Sequence, residues 1–95
     1  MTDKKAVILV LGGGSWGTAF ASRLSVENKL AVALWARNEK VVSDINLRHE
    51  NQQYLPECEL SKNLLAFSDL EEAITLFLNK GPASLKIIVF ALPAS

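Results

Sequence analysis

Cysteine is nearly missing from this chain: Cys58 is the only one in 95 residues. One thiol makes no internal disulfide and no paired-cysteine metal or redox motif. A reducing, cytoplasmic setting is the expectation. Net charge is missing too. Ten basic residues balance ten acidic ones, so no partner among nucleic acids or acidic membranes is expected. No apolar run reaches the roughly 18 residues that cross a bilayer. The first such run stops at glycines rather than at a small-residue cleavage site, which speaks against a secretory leader. Histidine occurs once, as His49. It has only Glu50 beside it, so it reads as a loop residue and no metal site is expected.

What is present is globular. Hydrophobic residues make up 49% of the chain and charged residues 21%, enough apolar material for a core. The length allows one domain or part of one. "AVILVL", residues 6–11, is a continuous aliphatic run, the pattern of a strand buried on both faces. Trp16, Ala19, Phe20 and Leu24 then recur at helical spacing and predict the packed face of a helix. "LAVALW", residues 30–35, is a second buried strand. Asn38 is a good N-cap for a helix with Val41, Val42 and Ile45 on its apolar stripe.

Residues 49–62 are polar and irregular, and read as a loop in which Cys58 is expected to be partly buried. "NLLAF", residues 63–67, is a short strand. Ser68 and Glu71 have capping-box spacing before a helix whose expected core face is Leu70, Ala73, Ile74, Phe77 and Leu78. "NKGP", residues 79–82, stops that helix. "LKIIVFAL", residues 85–92, reads as a last buried strand. The order β-α-β-α-β-α-β predicts an α/β, Rossmann-type doubly wound parallel sheet, strand order 3-2-1-4.

Gly12, Gly14 and Gly17 form G-x-G-x-x-G between the first strand and the first helix, the context that gives this otherwise weak motif its meaning. Gly12 turns the chain out of the strand. Gly14 lets a pyrophosphate approach the backbone, and Gly17 lets the helix pack on the strand. The N–H groups near Ser15 and Trp16 then face the phosphates. Ser15 serves as a hydroxyl donor or as the helix cap. The Trp16 side chain serves packing or ligand contact. An acidic residue that would hold the adenosine ribose is expected about 20 positions further on. Arg37 stands there instead, and its guanidinium fork suits the 2′-phosphate of NADP. NADP or NAD is therefore the expected cofactor, with NADPH favoured.

"LGGGSWGTAFA", "LWARN", "NQQYLP", "NL" and "ALPAS" together resemble the bacterial type of NAD(P)-dependent glycerol-3-phosphate dehydrogenase. The resemblance runs over nearly all of residues 6–95. Its specific part is Ser15-Trp16-Gly17-Thr18, then Leu34-Trp35-x-Arg37, then Asn51-x-x-Tyr54-Leu55-Pro56. It implies an oxidoreductase that interconverts dihydroxyacetone phosphate and sn-glycerol 3-phosphate for glycerophospholipid synthesis. It implies a cofactor site at the glycine loop, Ser15, Trp16 and Arg37, with Tyr54 and Pro93 added, a small phosphorylated substrate in the full-length enzyme, and a homo-oligomer.

Two departures from the family pattern are minor. Gly13 replaces a common alanine, a change expected to be harmless in a turn, and Ser61 replaces a common proline. The larger one is length. The family's catalytic lysines and helical substrate domain come after residue 95. The expectation is thus the N-terminal part of a Rossmann domain, truncated, without a substrate domain, with no catalytic residue and inactive alone. Lys80 and Lys86 are not candidates, since they stand at a helix end and at the opening of a strand. The alternatives are a related β-hydroxyacid-type or ketopantoate-type reductase, and a dinucleotide-binding module without chemistry.

Overall fold

The structure is a computed structural model, and it describes residues 6–27, 29–79 and 85–91. The order of elements is β1 (Ala6–Leu11), α1 (Ser15–Ser25), β2 (Leu30–Trp35), α2 (Glu39–Arg48), β3 (Leu65–Phe67), α3 (Leu70–Asn79) and β4 (Leu85–Phe90). The four strands form one sheet in the order β3-β2-β1-β4, and every pairing is parallel. This is the topology expected from the alternation of strand and helix.

β1 explains why its sequence is apolar throughout. Successive side chains of a strand point to opposite faces. Ala6, Ile8 and Val10 enter one core with Ala21 of α1 and Val41 and Ile45 of α2. Val7, Leu9 and Leu11 enter a second core with Ala73 and Phe77 of α3. Helices on both faces leave no polar side for β1. α2 begins as expected, with the Asn38 side chain accepting from the Lys40 N–H at 2.8 Å.

Five expectations need correction. The fully buried face of α1 is Gly17, Thr18, Ala21 and Ser25; of the expected stripe, Phe20 and Leu24 are half-buried against the same core, while Trp16 and Ala19 are exposed. The helix lies so close to the sheet that only small side chains fit between them. Trp16 is 59% exposed and stacks on Phe20, ring centroids 5.0 Å apart. α3 is capped by Asp69, whose Oδ1 accepts from the Glu72 N–H at 3.2 Å, rather than by Ser68. Its packed face is Ala73 and Phe77 with Ile74 half-buried beside them, while Leu70 and Leu78 are exposed. β4 is not buried: Leu85, Ile87, Ile88 and Phe90 are all exposed. It lies at the sheet edge, so one strand, not two, covers its flanks. Cys58 is exposed rather than partly buried.

Candidate functional site

β1 ends at the centre of the sheet, beside β4, which is where the strand order reverses. In open α/β sheets ligands bind outside the carboxyl ends of the strands at such a point. The Gly12 N–H donates to the Trp35 carbonyl at 2.8 Å, and the chain then leaves the strand with φ 127° at Gly12. That left-handed region strongly disfavours any side chain. Gly17 is held by contact instead. A methyl there would collide with the Gly12 carbonyl oxygen and stand 3.0 Å from the Ala91 Cβ.

Gly14 needs neither explanation. Its φ of −73° and ψ of −173° are open to any residue, and among the described residues an added Cβ would meet no atom within 4 Å beyond its chain neighbours. The fold therefore leaves clear the space a side chain would take. Gly14 is also the N-cap of α1, with no side-chain cap bond and no acid in the first turn. The orphan N–H groups of that turn and the helix dipole favour an anion in the cleared space. Ser15 is thus the first residue of the helix and not its cap. These features fit the pyrophosphate of a dinucleotide.

A cleft of about 480 Å³ opens beside the loop, lined by Gly12–Gly14, Trp35–Asn38, Val41 and Tyr54. Among these residues Arg37 carries the only ionised side chain. It follows β2, whose end sits next to the end of β1 through the Leu11–Trp35 pairing. The ring of Trp35 is fixed by its Nε1–H, which donates to the Ser68 carbonyl at 3.0 Å.

The structure thus brings Gly12, Gly14, Arg37 and Tyr54 to one cleft. Ser15 and Trp16 are exposed at the start of α1 and outside that lining, and Gly17 is buried below it. Pro93 lies outside the described residues. Gly13 is less free than a turn residue: a Cβ there would stand 2.5 Å from the Cβ of buried Ala36. Asn51 enters the sequence reading only as part of a family motif. It is fully buried and bonded to the glycine loop. A polar residue in an irregular segment gives no sign of this contact beyond its place in the motif. Among the described residues no three His, Cys, Asp or Glu side chains group to hold a metal, and no helix is long and apolar enough to cross a membrane.

Residues 7–95 match the family model described as NAD-dependent glycerol-3-phosphate dehydrogenase N-terminus. The chain belongs to this family. A glycerol-3-phosphate dehydrogenase [NAD(P)+] of Bacillus licheniformis is 41% identical over 86 residues, which are 90% of this chain and 22% of that protein. The protein of the same name from Acinetobacter baylyi is 46% identical over 74 residues, 76% of this chain and 20% of its own length. The structure of glycerol-3-phosphate dehydrogenase from Saccharomyces cerevisiae superposes with a TM-score of 0.73 at 28% identity, covering 98% of this chain and 27% of the yeast chain. This chain therefore spans about a fifth of the length of the curated relatives it matches. The family's cofactors are NAD and NADP, and the fold is its Rossmann fold.

Proposed function

We propose that this chain holds NAD or NADP in the cleft beside Gly12–Gly14 and is the cofactor-binding part of a glycerol-3-phosphate dehydrogenase. The observation that carries this reading is Gly14, a glycine that neither the backbone nor the packing requires. Residues 12–14 and the first turn of α1 cradle the pyrophosphate. Arg37 pairs with the 2′-phosphate of NADP and Tyr54 walls the adenosine side. Ser15 and Trp16 contribute through backbone N–H groups, and Trp16 keeps its ring on Phe20.

When bound, the nicotinamide exchanges hydride with C2 of the substrate. The whole enzyme interconverts dihydroxyacetone phosphate and sn-glycerol 3-phosphate, in the cytoplasm and as a homo-oligomer, in support of glycerophospholipid synthesis. The names of the relatives support this reaction class. This chain contributes the cofactor site and no catalytic side chain.

The test is titration of the chain with NADPH and NADH beside an assay with dihydroxyacetone phosphate. Binding without turnover is expected. Arg37→Ala should weaken NADPH by about tenfold, as loss of a charge-assisted contact does, and leave NADH unchanged. Equal losses for the two cofactors would remove Arg37 from the 2′-phosphate.

A further inference from the structure

Glycine-rich loops have a physical weakness. A peptide unit between two glycines turns over easily, because neither residue restricts its dihedrals. The Gly13–Gly14 unit is of this kind. In a trans peptide the C=O and N–H point to opposite sides, so whatever fixes the Gly13 carbonyl also aims the Gly14 N–H.

The Gly13 carbonyl is held twice. It accepts from the Thr18 hydroxyl at 3.2 Å and from the Asn51 side-chain Nδ2 at 3.1 Å. Asn51 Nδ2 also donates to Thr18 Oγ1 at 2.8 Å, which uses both of its hydrogens. Its Oδ1 accepts from the Tyr54 N–H at 3.2 Å. Asn51 and Thr18 are both fully buried. Reversing the amide would set the Asn51 oxygen against the Gly13 oxygen, so this geometry has one orientation only. Buried polar groups left unpaired are costly, and a flip of the Gly13–Gly14 peptide would strand Thr18 and Asn51 together.

We infer that Asn51 and Thr18 are positioning residues that lock the Gly13–Gly14 peptide with the Gly14 N–H turned away from the core, toward the phosphate position. Asn51 also ties this lock to the cleft wall, since the same amide fixes the backbone of Tyr54. The loop of residues 49–62 thereby reaches the glycine loop from 38 positions away. The inference rests on the dinucleotide reading above.

The test compares NADPH with adenosine 2′-monophosphate, which keeps the Arg37 partner and lacks the pyrophosphate. Thr18→Val removes the hydroxyl and keeps the shape. It should weaken NADPH by about tenfold, the value of one good hydrogen bond, and leave adenosine 2′-monophosphate within about twofold. Thr18→Ser should restore NADPH affinity. Asn51→Ala should weaken NADPH at least as much, and the threonine pair decides the matter where that variant does not fold. A loss of both ligands alike, or of neither, would overturn the lock while leaving the cofactor site intact. Failure of the unsubstituted chain to bind NADPH would overturn the cofactor reading and the lock together.

Discussion

β1 and β4 lie side by side, in register from Ala6 against Leu85 to Leu11 against Phe90. Both are six-residue, largely aliphatic strands. β1 is buried along its whole length, with Leu9 and Val10 fully inaccessible, while Phe90 of β4 is 71% exposed. Hydrophobic content therefore does not determine burial here; place in the sheet does. β1 has strands on both sides and helices on both faces. Among the described residues β4 has one neighbouring strand and little cover. The opposite edge shows a different solution. β3 is three residues long, and the Asn46 side chain accepts from the Ala66 N–H at 2.8 Å and donates to the Ala66 carbonyl at 2.9 Å. One amide from α2 thus pairs with the edge backbone, and a short edge strand covered by a helix is a common way to blunt an edge. β4 is longer and apolar, the kind of edge that seeks a partner.

The pair Leu9 and Ile88, which face each other in the register, breaks or confirms the contrast most sharply. Leu9→Ala should cost about 3 kcal/mol by urea unfolding, through transfer and cavity terms together. Ile88→Ala should cost less than about 1 kcal/mol, because 42% of its surface already meets water. Similar losses would mean that β4 is covered in solution. Gly17→Ala comes next, at about 1–3 kcal/mol, since its methyl meets the Gly12 backbone and not a movable side chain.

Gly13→Ala should cost about 1 kcal/mol or somewhat more by crowding Ala36. The double variant Gly13→Ala with Ala36→Gly should recover most of that loss, a coupling that residues in contact show. Position 13 is thus not the indifferent turn position that its sequence suggests: one methyl fits between these two residues, and Ala36 already supplies it. The smallest change in stability, under about 0.5 kcal/mol, belongs to Ile88→Lys at the exposed edge. Its effect is on association. The unsubstituted chain should self-associate in light scattering at high concentration, and the lysine should reduce this. A clean monomer before substitution would contradict the reading of β4 as an open edge.

Much of this was legible in the sequence because it is local. Strand and helix periods, the Asn38 cap and the glycine spacing all act within a few residues. Alternation of strands and helices gives parallel pairing with right-handed crossovers, and the glycine motif adds the 3-2-1-4 order of the dinucleotide-binding fold. The misread features depend on distant parts of the chain. Trp16 looks like the start of a packed face, yet Gly17 draws α1 so near the sheet that Thr18, Ala21 and Ser25 take the buried place and Phe20 and Leu24 flank it. β4 looks buried because its composition matches that of β1. Asn51 looks like loop filler because its partners, Gly13 and Thr18, are 38 and 33 positions away. The cleft was half legible: Gly12, Gly14, Arg37 and Tyr54 are in it, while Trp35 and Val41 reach it from residues that read as core.

The central claim is that the space above Gly14 is kept for a phosphate group. Gly14→Ala tests it directly, because the backbone accepts alanine and no atom of the described residues stands in the way of its methyl. The variant should unfold at the same urea concentration or be up to about 1 kcal/mol more stable, as a compatible glycine replacement is. NADPH should nevertheless bind it at least about tenfold more weakly, since the methyl takes the place of the pyrophosphate. Unchanged NADPH affinity in a folded Gly14→Ala chain would contradict the account.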